Sequence, residues 1–199
     1  MSSVFIGIAG GSGAGKSTLC TTLLDTYPDQ IGMVQLDDYF KPSKDVPVYA
    51  GRENWDHPNA LYLDRLVNDL GVLGQGKPAL INTKNERLNP EYKLTERRKL
   101  VEFQPKPIML VEGYLVLHDE RIRDMLAASI WLEVDHDTRW KRRVHFKDPE
   151  YEEKVIKPMY KEFAEPTKQY ADNVIDVTNL SAANVYGRVQ TILGPYLEA

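Results

Sequence analysis

The chain holds a single cysteine, Cys20, in 199 residues, so it can close no internal disulfide. A reducing compartment is the natural setting for such a chain. Cys20 falls within a helical pattern and reads as a packing residue. No apolar run approaches the roughly 18 residues that a membrane-spanning helix needs. The opening Met1-Ser2-Ser3-Val4-Phe5 carries no basic stretch ahead of a long apolar one, so no secretory leader is expected. Positive charge is not in excess either: 25 Lys and Arg face 29 Asp and Glu, a net charge of −4. That balance excludes a general nucleic-acid binder, which needs a basic face or stripe. Arg97-Arg98-Lys99 and Lys141-Arg142-Arg143 are too short to supply one. Internal repeats and low-complexity tails are missing as well. These absences predict a soluble cytoplasmic protein with no membrane or nucleic-acid partner. Association into a homo-oligomer is compatible with the sequence but not specified by it.

With 42% hydrophobic residues, the chain suits one domain over 1–199 with a substantial core. Val4–Ala9 is a short apolar, β-rich run that stops at a glycine cluster, as a strand buried on both faces does. Similar runs recur at Ile31–Leu36, Ile108–Val111, Ser129–Val134 and Val174–Val177. Helical spacing lies between them, over 16–26, Leu61–Leu73, Glu120–Ala127, Asp137–Val144, Glu150–Phe163 and Ala182–Leu197. Alternation of this kind predicts an α/β fold, a doubly wound five-stranded parallel sheet with helices on both faces. Two stretches interrupt it: about 41–58, rich in Pro, Asp and aromatics, and about 78–107, polar with four prolines. Long connections in a compact domain are usually functional, so both read as substrate-binding insertions.

Gly10-Gly11-Ser12-Gly13-Ala14-Gly15-Lys16-Ser17 fits G-x-x-x-x-G-K-[ST], placed between a predicted strand and a predicted helix. Glycines let backbone N–H groups turn inward around a phosphate, and the helix dipole points at the same anion. Lys16 is expected at the β- and γ-phosphates and Ser17 on Mg2+, with Thr18 completing the nucleotide-binding set. Glu112 ends the apolar run Ile108–Val111, at the sheet edge where ligands of parallel sheets bind, and reads as a second metal contact. ATP and Mg2+ are therefore the expected cofactors.

Among P-loop functions, a GTPase needs an N-K-x-D base reader, and Lys84-Asn85 stand in the wrong order. A small-molecule kinase needs an acceptor pocket, a base near the phosphate and cations around the transferred group. Asp37-Asp38-Tyr39-Phe40 follows the second strand and should aim one aspartate at the γ-phosphate. The bland alternative is a turn-forming Asp pair. Asn54-Trp55-Asp56-His57-Pro58 offers an aromatic face for a flat ring and a carboxylate for a ribose diol; equally, Trp55 would pack in the core and Asp56 cap a helix. The basic run about Arg139–Lys147 reads as a lid over roughly 139–150, with one or two functional cations and the rest solvated. His118, His136 and His145 follow no metal-ligand pattern.

These motifs together resemble the uridine kinase-like P-loop kinases, including the uridine-cytidine and nicotinamide riboside kinases. Asn54–Pro58 is similar to an N-F-D-H-P segment, Pro166–Asp172 to P-T-K-K-Y-A-D, and Asp37–Pro42 to D-D-F-F-K-P; Pro158-Met159-Tyr160 also matches a triplet. The resemblance implies Asp37 as catalytic base, assisted by Lys16 and Arg143. It implies Asp56 as the ribose grip, with Trp55 beside it, and Glu112 near magnesium. Tyr39, Arg87, Arg143 and Lys147 are then candidate acceptor contacts. Uridine kinases read their base with P-x-Y-D-F-x-x-H-x-R. Setting Pro78 and Arg87 as its ends puts Leu80 in place of the tyrosine and Asn85 in place of the histidine. Later lid arginines are missing too; Lys147 offers only a point charge there. The expected reaction is phosphoryl transfer from ATP to a primary hydroxyl, most simply a nucleoside 5′-OH. The alternatives are a kinase of another sugar- or polyol-bearing metabolite, and a nucleotide-binding regulatory protein without acceptor chemistry.

Overall fold

The computed structural model describes residues 2–143 and 147–198. Strand β1 (Val4–Ala9) leads through the glycine loop into α1 (Lys16–Thr26), then β2 (Ile31–Gln35) and a 3-10 turn at Leu36–Tyr39. The first insertion folds as a short hairpin, β3 (Val48–Tyr49) and β4 (Arg52–Glu53), before α2 (Leu63–Gly74). The second is a longer antiparallel hairpin, β5 (Ala79–Thr83) and β6 (Lys99–Phe103), with a one-turn α3 (Tyr92–Thr95) at its tip. Then follow β7 (Ile108–Glu112), one-turn α4 (Glu120–Arg123), β8 (Leu126–Glu133) and α5 (His136–Arg142). α6 (Pro149–Tyr151) opens a helical stretch through α7 (Lys157–Met159), with π-helical segments Glu152–Ile156 and Tyr160–Ala164; β9 (Asn173–Asp176) and α8 (Ala182–Leu197) complete the chain.

The main sheet has five parallel strands in the order β2-β7-β1-β8-β9. Because strand side chains alternate, each central strand feeds two cores. Phe5 and Ala9, Met109 and Val111, and Trp131 pack on one face with Leu66, Leu70 and Leu73 of α2. Ile6 and Ile8, Ile108 and Leu110, and Ile130 and Leu132 pack on the other, against Leu19, Cys20 and Leu23 of α1 and Val185, Val189 and Leu193 of α8. Each such fully buried aliphatic side chain contributes about 1.5–3 kcal/mol relative to exposure. Cys20 has no exposed surface, in keeping with its reading as packing. Among the described residues no helix is long and apolar enough to cross a membrane.

Two expectations need correction. The helix expected over Glu120–Ala127 is a single turn, because Leu126 already pairs with Phe5 and the strand expected at Ser129 starts three residues earlier. The segment expected as a plain helix over 150–163 carries two π-helical stretches. Pro158 between them has no N–H for the preceding turn, and a widened turn accommodates its ring. Both insertions, for which the sequence predicted no regular element, contain hairpins. In β5 the residues alternate, with Ala79, Ile81 and Thr83 buried and Leu80 exposed.

Candidate active site

The carboxyl ends of β1, β2 and β7 bring three motifs to one edge. At the phosphate loop, Gly13 sits at φ 85, and a Cβ there would lie 2.5 Å from the Arg139 carbonyl. A Cβ on Gly11 would collide with the Arg139 guanidinium, so the loop's small residues let α5 press against it. Arg139 is itself buried, with its guanidinium 4.0 Å from the Tyr160 ring. Lys16 is buried; its Nζ donates to the Gly11 carbonyl at 3.2 Å and lies 3.9 Å from Glu112 Oε1. Ser17 Oγ donates to the same Glu112 oxygen at 3.5 Å. Burial pushes the Glu112 carboxyl up, Lys16 opposes that rise, and Asp37 adds to it. A buried carboxylate and a hydroxyl facing each other across this gap form an oxygen donor pair suited to a hard divalent cation. Among the described residues no cluster of three or more His, Cys, Asp or Glu is built to hold a metal alone. Phosphate oxygens and water would have to complete the coordination.

Beside α1 lies a cavity of about 250 Å³ lined by Ala14, Gly15, Thr18, Leu19, Thr22, Arg142, Val177, Leu180, Ala182, Val185 and Tyr186. Arg142 is fixed at its rim by the carbonyls of Val177 and Thr178.

The paired aspartates divide their work. Asp38 is turned inward, accepting from Thr83 Oγ1 at 2.6 Å and from the Lys84 N–H at 2.8 Å. It thereby ties the long hairpin to the turn after β2, and burial raises its pKa. Asp37 is turned outward, its side chain 45% exposed, with Lys84 Nζ donating to Oδ2 at 2.9 Å. Arg98 donates to the backbone carbonyls of both aspartates and so holds the turn from below. Tyr39 is buried, and its hydroxyl donates to Asp69 on α2 at 3.0 Å. It supports the cleft floor; its polar end is already engaged.

Trp55 is neither core nor cap. Its indole meets Phe40 edge-on at 5.6 Å, and its Nε1 donates to Glu53. It stands between two cavities. One, of about 540 Å³, is lined by Arg52, Glu53, Trp55, Asp56, Arg143, Tyr151 and Ile156. The other, of about 580 Å³, includes Asp38, Phe40, Lys41, Trp55, Tyr62, Arg65, Asn82, Lys84, Tyr92 and Arg98. The cap of the following turn is His57, whose Nδ1 accepts from the Asn59 N–H, which leaves Asp56 free of that task. Asp56 lies 3.4 Å from the Tyr151 hydroxyl. Burial is the main cause that pushes its carboxyl up, to about 6; Arg143 and Tyr151 lower it, and Glu152 and Asp37 raise it.

Arg143 bridges to the phosphate loop, its Nε donating to Ser12 Oγ at 3.2 Å. The turn after it, Val144, His145 and Phe146, lies outside the described residues. Lys147 is exposed and donates to the Lys141 carbonyl, and so does not join these groups. Arg87 is likewise turned away, paired with Asp25 near the far end of α1. The tip of the hairpin explains this: Asn89 anchors it to the carbonyls of Thr83 and Arg97, and Asn85 caps the Arg87 N–H. Leu80, set against a base-reading tyrosine in sequence, is 57% exposed and lines neither cavity. The hairpin residues that face the cleft are Asn82 of β5, Lys84 and Arg98 just beyond the strand ends, and Tyr92 of α3 at the tip. Lys84, Tyr151 and Glu152 escaped the sequence reading. Lys84 is 47 residues from Asp37, and the hydrogen bonds of Thr83 and Lys84 to Asp38 bring the two together.

Comparison with known proteins agrees with this geometry. Residues 5–183 match the model of the phosphoribulokinase / uridine kinase family. Uridine kinase of Streptococcus agalactiae serotype V is 34% identical over 209 residues, covering 96% of each chain. Uridine kinase of Streptococcus pyogenes serotype M5 is 34% identical over 206 residues, covering 96% of this chain and 97% of its own. In fold, the chain is similar to a possible uridine kinase from Bacillus stearothermophilus, with a TM-score of 0.58 at 19% identity, covering 88% of this chain and 90% of that one. It is also similar to a putative fructose transport system kinase from Silicibacter, with a TM-score of 0.58 at 18% identity, covering 87% and 90%. A phosphate loop at the edge of a five-stranded parallel sheet, an outward aspartate beside it and these relatives along nearly the whole length place the chain in the phosphoribulokinase / uridine kinase family, as a P-loop kinase that transfers a phosphoryl group to an alcohol.

Proposed function

We propose that the protein transfers the γ-phosphoryl group of ATP to the primary 5′-hydroxyl of a nucleoside. The observation that carries this reading is the placement of Asp37, outward and unburied, at the sheet edge that also holds Lys16, Ser17 and Glu112. The 250 Å³ slot beside α1 would take the adenine, and the glycine loop the phosphates. Ser17 and Glu112 would hold Mg2+, which when bound offsets charge on the phosphates. Lys16 would leave the Gly11 carbonyl for the β- and γ-phosphate oxygens. Asp37 takes the proton of the acceptor hydroxyl while that oxygen bonds to γ-phosphorus and the bond to the β-bridging oxygen breaks, releasing ADP. Lys84 fixes the orientation of the Asp37 carboxylate. Asp56 accepts from the ribose diol, Trp55 offers a face to the base, and Arg143 faces the transferred group from the Ser12 side.

A second reading, a kinase of another sugar- or polyol-bearing metabolite, is favoured by one observation. Lys41, Arg65, Lys84 and Arg98 all line the 580 Å³ cleft, cations that would match a sugar- or polyol-bearing acceptor with an anionic group and that a neutral base does not need. A panel of ribosides and sugar alcohols, scored by ATP consumption, separates the two readings; turnover confined to non-nucleoside polyols would overturn the first.

The acceptor grip also has a pH signature. Asp56 accepts from both hydroxyls of a diol with charge-assisted strength only while ionised. With its pKa raised to about 6, kcat/KM for a riboside should fall as pH drops through that value. The sign for folding is opposite. A carboxyl whose pKa is raised on folding binds its proton more tightly in the native state, so between the ordinary carboxylate range and pH 6 its contribution to stability grows as pH falls. Asp56→Asn should bind ribosides poorly and lose most of the preference for ribosides over 2′-deoxyribosides, measured as the ratio of kcat/KM. An unchanged ratio would show that the acceptor is not held by its diol.

A further inference from the structure

We infer that Glu152 is a positioning residue for phosphoryl transfer, acting by holding the guanidinium of Arg143 against the phosphate loop. The inference rests on the role proposed above for Arg143. Glu152 is almost fully buried, with a relative exposure of 6%, and both of its oxygens are engaged. Oε2 accepts from Arg143 Nη1, and Oε1 lies 2.8 Å from His136 Nε2. Arg143 is thus gripped on two sides, by Glu152 through Nη1 and by Ser12 through Nε. An arginine on a solvated basic face would need neither anchor, and its side chain would not be 13% exposed.

The cost of burying a carboxylate says why this pair is specific. A buried charge is tolerated only when paired and hydrogen-bonded. Glu152 lines a cavity of about 350 Å³ with Glu133, Asp135 and Glu165, all of its own sign. Of the cations that line it, Arg139 lies over the Tyr160 ring and Lys157 pairs with Glu153, so the groups that meet Glu152 are the His136 imidazole and, from outside the cavity, the Arg143 guanidinium. The residues just before Glu152 tie the same segment to the acceptor side: Arg52 pairs with Asp148 at 2.6 Å and with Glu150 at 2.7 Å, and the Tyr151 hydroxyl donates to the Glu53 carbonyl. Segment 148–152 therefore sets Arg143 relative to the acceptor loop as well as to the phosphate loop. Neither Arg143 nor the loop would lose its chemistry without Glu152; they would lose their alignment.

The test is a double-variant cycle under steady-state kinetics. Glu152→Gln keeps the shape and removes the charge. Kcat should fall about 10- to 100-fold, the size of a small misplacement of a reacting group, with KM for ATP and for the acceptor little changed. In an Arg143→Ala background the same change should cause no further loss, because residues acting through one another are non-additive. Should Glu152→Gln fold poorly by thermal melting, Arg143→Met with Glu152→Met removes both charges together, and its kcat should equal that of Arg143→Met alone. Wild-type kcat in Glu152→Gln, or losses that multiply in the double variant, would overturn the inference and leave the role of Arg143 standing. Wild-type turnover in Arg143→Ala would instead overturn the role of Arg143, and the inference with it.

Discussion

Replacing Asp37 with asparagine should leave the protein folded and able to bind ATP and acceptor, while the chemical step slows about 10²–10⁴-fold, the usual worth of a positioned general base. The substitution is nearly isosteric, and the carboxylate it removes is solvent-facing, so little packing is lost. The fixed parts of this turn belong to its neighbours: Asp38 holds the hairpin, Tyr39 holds α2, and Arg98 holds the two backbone carbonyls. Lys84 would keep a hydrogen-bond acceptor in the asparagine oxygen but lose its counter-charge. Single-turnover kinetics beside equilibrium titrations separates the effects. The mirror experiment, Asp38→Asn, should instead show in thermal stability, since it removes the charge of a buried acceptor of two hydrogen bonds. If Asp37→Asn reacts at the wild-type rate, the base is another group.

Lys16→Ala should depress turnover roughly 10²–10³-fold, about 3–4 kcal/mol of lost charge stabilisation in the transition state. Lys16 is buried, and its ammonium group is the cation beside Glu112 and Ser17. Its removal leaves the Glu112 carboxyl, already raised by burial, without the charge that opposes the rise. That carboxyl then takes up a proton at higher pH and becomes a poorer ligand for a divalent cation. The loss should therefore deepen as pH falls, a trend read from kcat/KM across a pH series. Near-wild-type turnover in Lys16→Ala would contradict the placement of the phosphates on the glycine loop.

The legible parts of this chain are those whose signal is contiguous. Gly10–Ser17 needs only eight neighbouring residues between a strand and a helix, and the five apolar runs each carry their own burial pattern. What the sequence hid depends on register and on partners far away. Asp37 and Asp38 are indistinguishable by type. Only a 3-10 turn, together with Thr83 and Lys84 from a distant hairpin, turns one out and the other in. That hairpin was masked because its turn is long, polar and proline-bearing, while its strands show a period of two over only five residues. Counting motif offsets from Pro78 consequently set Leu80 and Arg87 at the acceptor, whereas the register turns Leu80 to solvent and Arg87 to Asp25. The basic run around Arg139–Lys147 was legible in kind but not in detail. Burial sorts it, into Arg139 against the phosphate loop, Arg142 on the far carbonyls, Arg143 on Ser12 and Glu152, and Lys147 in solvent.

The most direct measurement of the central claim is the position of the transferred phosphate. Purified protein is incubated with ATP, Mg2+ and a riboside, and the product is read by phosphorus–proton coupling in NMR. The account predicts a nucleoside 5′-monophosphate, its phosphorus coupled to the two 5′ protons, formed with one ADP per acceptor and abolished together with ADP release in Asp37→Asn. ATP hydrolysis that is indifferent to the riboside, or a phosphate carried on the 2′ or 3′ oxygen, would contradict it.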